Sequence, residues 1–290
     1  MVRNSCEGRW EIRSMVVRKV CVESDFPQNL KELLGNGNCL EIESYLSMLN
    51  LAIEKVEEND RLCLWIEEIK ATKKELFGHM VSVAILSELL AKWMGCSAEE
   101  IETAALAGFM HDIGLVYLMD GRKKKVVFKD ELGIHGYEKH IMQANHFLKS
   151  LKVDPEVIKA VLAHHERPDG NGFPLKINGA SINKIGKIVA IADVYDTYTM
   201  KIPGECNWSV LKALSNMEEE ASQRLDASYL QVFIENILEQ TEMRTVRLSD
   251  GSTAKIIMVN KYELLYPTVE CDKKLTDLSI SKRVFVEELL

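Results

Sequence analysis

The sequence has no Cys-x-x-Cys pair, no apolar run of bilayer length and no surplus of positive charge. Each absence removes a class of function. Seven cysteines, at 6, 21, 39, 63, 96, 206 and 271, are odd in number and irregularly spaced. They offer no thiolate zinc finger, dithiol redox motif or disulfide framework, and read as free thiols in a reducing compartment. Arg3, Glu7 and Arg9 interrupt the N-terminal stretch, and no segment reaches the ~20 apolar residues that span a bilayer. A cytoplasmic location without membrane insertion is therefore expected. With 44 acidic against 36 basic residues the net charge is −8. That balance disfavours a DNA or RNA polymer or an anionic membrane as partner, because both are polyanions. A small anionic ligand stays open if a local positive field is supplied. There is no internal repeat or low-complexity segment, and no receiver or sensor domain is recognisable in residues 1–68.

What the chain does have is enough apolar residues for a sizeable core, 47% of 290, and helical periodicity over most of its length. Three zones follow. Residues 1–68 contain a short β-branched, basic stretch from Trp10 and then apolar residues at helical spacing. They read as a helical lead-in of unknown role, whose apolar stripe packs on the main domain or, alternatively, forms a homodimer contact; a signalling partner is the other partner expected. Residues 69–242 read as successive helices. An apolar helix runs to Trp93 with Gly95 as its stop, and Ser97 with Glu100 forms a capping box for the next, which runs to His111. Further helical patterns cover 138–151, 155–165, 182–198 and 209–240, with Asp154 and Pro155 in cap and first-turn positions. Residues 243–290 read as a small β-rich extension: a hairpin from Val246 to Val259 around Asp250-Gly251, and one more short strand over 283–286. The fold class expected is mainly α, a helical bundle with a small C-terminal β appendage and a helical N-terminal lead-in.

Of the seven histidines, five form a series at His79, His111, His140, His164 and His165. Asp112 follows His111, Asp193 interrupts the apolar segment 188–194, and Glu75 lies one helical turn before His79. Singly, each group has an ordinary explanation as a surface or satisfied core residue. Together they place about one imidazole or carboxylate ligand group on each of five predicted helices, in or beside apolar segments. Buried groups of this kind must be paired or bind metal, and converging helices can bring them to one centre. Imidazole mixed with carboxylate suits iron, manganese or zinc rather than calcium.

His111-Asp112-Ile113-Gly114, the run from His164-His165 through Asn171-Gly172-Phe173-Pro174, and Ala192-Asp193-Val194-Tyr195-Asp196 resemble the HD-GYP family of HD phosphohydrolases. The resemblance covers about residues 70–205, and the segment from Leu248 to Ser279 is similar to an extension found in many members. It implies an HD-type helical bundle holding two or three divalent ions, iron or manganese. The implied ligands are His79, His111, Asp112, His140, His164, His165 and Asp193, with Glu75 in the position that serves a third ion. His135 competes with His140 for the middle ligand; Ala144 and Phe147-Leu148 fit the family pattern for His140. The implied activity is hydrolysis of cyclic di-GMP to pGpG or GMP by a metal-bridged hydroxide, with His111 and Asp112 as catalytic residues. Gly172, Phe173, Pro174, Asp196 and Lys201 are the implied substrate residues. Three departures bear on substrate grip. Leu115 replaces a lysine, Phe173 replaces a tyrosine, and Ile202 and Glu205 stand where basic residues are expected, leaving Lys201 and the run Lys123–Lys125 as nearby cations. The alternatives are a weakly active or inactive metal-containing module that binds nucleotide or a partner protein, and a hydrolase for a different nucleotide.

Overall fold

The structure, a computed structural model, describes residues 75–118, 133–150, 152–200 and 209–290. The lead-in over 1–68, the run Lys123–Lys125, and Lys201, Ile202 and Glu205 lie outside the described residues, as do the side chains of Glu75 and His135.

Among the described residues the chain forms eight helices and then five strands. Helix α1 (Glu75–Trp93) is apolar on every side, with Val83, Ala84, Ile85, Leu86 and Leu90 all fully buried. A helix of that composition belongs in the middle of a bundle, and α1 packs on α2 (Ala98–Met110) and α6 (Lys184–Thr199). It stops where expected, with Gly95 at φ +67°. Helix α2 opens with the expected capping box: the Ser97 hydroxyl accepts from Glu100 N, and Ser97 N donates to the Glu100 carboxylate. Helix α3 (Ile113–Leu118) leads towards α4 (Gly133–Ser150). Helix α5 (Pro155–Ala163) carries Asp154 as N-cap and Pro155 at its first turn, and Asn183 caps α6. Helix α6 is the second central element, with Ile188, Val189, Ile191 and Ala192 fully buried.

The helical pattern over 209–240 is two helices, α7 (Val210–Arg224) and α8 (Ala227–Glu239). The break comes at Leu225, which is extended at φ −128°, ψ 154°. Asp226 then caps α8 through its carboxylate and binds Lys187 of α6 at 2.9 Å. A local hydrogen-bonding side chain and a cross-helix ion pair outweigh continuous periodicity here. Phe233 of α8 fills the space against Trp93 and Tyr195.

Strands β1 (Thr245–Leu248), β2 (Thr253–Met258), β3 (Thr268–Cys271), β4 (Lys274–Asp277) and β5 (Val286–Leu289) make one antiparallel sheet in the order β4-β3-β2-β1-β5. Alternation puts Val246, Leu248, Ala254 and Ile256 on the buried face. The hairpin between β1 and β2 turns at Ser249–Ser252, with Gly251 at φ +86°. The last strand starts at Val286, where the expected one ends, and runs to Leu289. The hairpin β3–β4 was not anticipated: Asp272 and Lys273 both take positive φ at its tip, without the glycine that usually announces such a turn. The Ser209 hydroxyl ties the start of α7 to β5 through Val286 O at 3.4 Å. No helix among the described residues is long and apolar enough to cross a membrane.

Candidate metal centre

Helices α2 and α5 both end on a histidine. His111 and His164 are the C-caps of these helices, and each donates its Nδ1–H to the carbonyl three residues back, His111 to Gly108 O and His164 to Val161 O, both at 2.7 Å. A helix end leaves such carbonyls without partners, so the cap and the ring satisfy one another. A carbonyl can only accept, so Nδ1 carries a proton and Nε2 of each ring is the nitrogen turned inwards. His79, one turn into α1, is fixed in the same sense by the Asp196 carboxylate, 2.7 Å from its Nδ1.

The inward atoms meet. His79 Nε2 lies 3.1 Å from His111 Nε2 and 3.2 Å from Asp193 Oδ1. Those three residues form one potential ligand group, and Asp112, His140, His164 and His165 form a second, with the donor atoms of each within 4.8 Å of one another. Asp112 faces both: its Oδ1 is 3.3 Å from His140 Nε2, while its Oδ2 is 3.4 Å from His111 Nε2 and 3.7 Å from His79 Nε2. The turn that carries Asp112 out of α2 leads straight into α3, where Gly114 lies against α4. A Cβ on Gly114 would run into the His140 carbonyl oxygen and sit 2.7 Å from its carbon. Only glycine lets α3 pass close enough to set Asp112 against His140.

Charge follows this geometry. Burial alone would lower His79, but Asp193 and Asp196 outweigh it and push it up to about 10. His111 is raised by Asp112 in spite of its burial. Asp112 and Asp193 are held well below the usual carboxylate range, because the surrounding imidazoles overcome the burial that would raise them. His164 is pushed down to about 3 by burial and by His111, and His165 well below its usual value by burial and by His164. One half of the centre attracts positive charge and the other offers neutral imidazole lone pairs. The donor set fits divalent ions on a further count. Among the described residues the buried His164 Nε2 has no hydrogen-bond partner, and a cation is what satisfies a lone pair in that position.

The family model described as HD domain matches residues 64–229. The chain belongs to the HD-domain family. The HD-GYP resemblance of its motifs stands with it. The HD-domain chain is 29% identical over 183 residues to the 3'3'-cGAMP-specific phosphodiesterase 1 of Vibrio cholerae, covering 62% of this chain and 42% of that protein. It is 27% identical over 210 residues to a cyclic di-GMP phosphodiesterase of Pseudomonas aeruginosa, covering 71% and 50%. It thus spans about half the length of these curated relatives. In fold it is similar to an HDG"Y"P protein from Bdellovibrio bacteriovorus, with a TM-score of 0.53 and 16% identity, over 82% of this chain and 81% of that one.

In this HD-domain protein the seven expected ligands with described side chains converge, and Glu75 opens α1 one turn before His79. His146 of α4 is exposed. The residues expected at the substrate divide. Phe173 lines a cleft of about 200 Å³ that opens on His79, Asp112, His164, His165 and Asp193, and its ring packs on His165 at 4.6 Å. Pro174 follows it, half-buried. Gly172 is buried against the backbone of 165–167 and presents nothing outwards. Asp196, expected at the substrate, is instead fully buried behind His79, orients that ring and is not among the residues that line the cleft. Two further groups were not anticipated. Glu166 is buried and accepts from the backbone N–H groups of Leu175, Lys176 and Ile177, closing the loop that carries Phe173. Arg167 and Arg224 both line the cleft. Arg167 follows the end of the helix expected over 155–165, and Arg224 lay in the middle of an expected continuous helix, so neither carried a sequence signal of this kind.

Proposed function

We propose that this chain is a metal-dependent phosphodiesterase that hydrolyses cyclic di-GMP to pGpG or GMP. The reading is carried by Asp112, whose two carboxylate oxygens face two separate groups of histidines. The curated relatives, named as phosphodiesterases of cyclic di-GMP and 3'3'-cGAMP, support the substrate class.

His79, His111, Asp112 and Asp193 would hold one ion and Asp112, His140, His164 and His165 another, with iron or manganese suited to the donors and Glu75 available to a third. When bound, such ions supply Lewis acidity at a phosphoryl oxygen and lower the pKa of water. The chain supplies the rest. Gly108 O, Val161 O and Asp196 keep three imidazoles in one tautomer with Nε2 inwards. Asp112 stays ionised because the imidazoles around it outweigh its burial. Phe173 packs its ring on that of His165 at the cleft. Arg167 and Arg224 place two guanidinium groups among the residues that line the cleft.

A second reading rests on Leu115, which is buried in the core at 4% exposure and has nothing to offer a phosphate. It favours a slow enzyme that signals by binding. One experiment separates the two: turnover of cyclic di-GMP by manganese-loaded or anaerobically iron-loaded protein, beside a His111→Ala/Asp112→Ala variant. Linear product that disappears in the variant is the expected result. Two or more bound metals per chain with no product would overturn the cyclic di-GMP assignment and leave a different phosphoester substrate or the binding module.

A further inference from the structure

One cation in the cleft is not accounted for by the family motifs. Arg224, the last residue of α7, lines the same cleft as Asp193 and Phe173, although it lies outside residues 70–205, where the motifs sit. Its Nη1 donates to Glu220 Oε2, one turn earlier on α7, at 2.5 Å. Glu220 and the Tyr198 hydroxyl engage part of the guanidinium and fix it, and five N–H donors are more than those two contacts use. Tyr198 stands beside the pair, its hydroxyl pushed up to about 12 by burial and by Glu220. The wall from the metal centre to Arg224 is one face of α6. Thr197 lies one turn beyond Asp193, its hydroxyl 3.4 Å from Asp193 Oδ1, and Tyr198 is next.

A cyclic dinucleotide carries two phosphodiesters. When one is at the His/Asp centre, the other keeps its charge and needs a partner. The segment after Asp193 lacks the expected basic pair, since it has Ile202 and Glu205 and only Lys201 as a cation. We propose that Arg224, steadied by Glu220 and flanked by Tyr198, binds the second, non-reacting phosphodiester of a cyclic dinucleotide, and so selects two-phosphate substrates over single phosphodiesters. The inference rests on the reading of the centre as a phosphodiesterase. An arginine bound to a phosphate makes charge-assisted, geometrically specific hydrogen bonds. The competing role, a clasp on the last turn of α7, is a weak one, because part-exposed pairs one turn apart contribute little.

The test compares metal-loaded full-length protein on cyclic di-GMP and on bis(p-nitrophenyl) phosphate, which has one phosphodiester, together with the Kd for cyclic di-GMP. Arg224→Ala is expected to lower the ratio of the two kcat/KM values about tenfold or more, chiefly through KM, and to raise Kd in step. Arg224→Lys recovers part of the loss. Glu220→Gln, which keeps an acceptor for the guanidinium and leaves the arginine in place, lowers the ratio much less than Arg224→Ala. A purely structural pair gives the opposite pattern: both Arg224→Ala and Glu220→Gln lower Tm alike and leave ratio and Kd unchanged, which overturns the inference while the phosphodiesterase stands. Wild-type protein that neither binds nor cleaves cyclic di-GMP overturns the underlying reading, and this inference with it.

Discussion

Replacing Gly114 by alanine puts one methyl group where α3 crosses α4, and the structure sets its consequence. The new carbon would sit 2.7 Å from the His140 carbonyl carbon and 2.9 Å from Ala144 N, and would overlap the His140 oxygen. Ordinary carbon contacts are roughly 3.5 Å, so the helices must part by about 0.8 Å or more. Ligand bonds to a metal tolerate only about 0.2 Å. Asp112, two residues from Gly114, and His140 therefore cannot keep their mutual position, whereas His79, His111 and Asp193 come from other helices. Overpacking of this kind costs roughly 1–3 kcal/mol. The expected outcome is a protein with a lower Tm that has lost about one ion per chain, read by elemental analysis after manganese loading. Gly95→Ala is the control. Its φ of +67° is costly for alanine, but nothing lies within 4 Å of the added carbon, so it should cost a comparable roughly 1–2 kcal/mol of stability, lower Tm and keep the metal. A full metal complement in Gly114→Ala, or equal metal loss in both variants, would refute the claim that this crossing positions the bridge.

Two further outcomes follow from the same structure. Asp196→Asn keeps an acceptor for His79 Nδ1 but removes the buried charge behind it. Metal affinity should fall roughly 10- to 100-fold, measured by competition with a chelator, and an unchanged affinity would show that Asp196 does not tune His79. Asp226 has a carboxyl held below its ordinary value, because Ser228, Lys187 and the Tyr229 N–H outweigh partial burial. A depressed carboxylate stabilises the fold above its unfolded value near 4 and loses that contribution as pH falls through the folded value. Asp226→Ala should cost about 1 kcal/mol at neutral pH through the lost cap, and its Tm deficit against wild type should shrink below pH 4. A deficit constant with pH would mean that the charge does not matter there.

Much of the site was legible because its residues sit where helices stop. The pairs His111-Asp112 and His164-His165 stand out as adjacent polar groups closing apolar segments, and the caps at Ser97 and Asp154 mark where the following helices begin. What stayed hidden lacks a side-chain signature. The acceptors behind His111 and His164 are backbone carbonyls, and only the three-residue spacing from each histidine to its own helix hints at them. The break at Leu225–Asp226 was masked by apolar spacing that continues through it, although Asp226 followed by Ser228 is a local cap signal. The β3–β4 hairpin was missed because Asp272 and Lys273 take positive φ without glycine, and that conformation depends on strand pairing rather than on the two residues. Arg224 and Glu166 act through tertiary placement, one reaching a cleft from a distant helix and the other folding a loop over itself.

The two capping histidines have a consequence for how metal comes and goes. Each ring spends its rotational freedom on the end of its own helix, with Gly108 O and Val161 O as permanent partners. The ordering entropy that a flexible ligand loses on binding has here already been lost in forming the helix. Metal exchange at such a centre is a local event, in contrast to small zinc modules, in which the ion and the fold arrive together. Stripping the ions should leave the bundle standing with its ligands aimed inwards, ready to take up metal again without refolding.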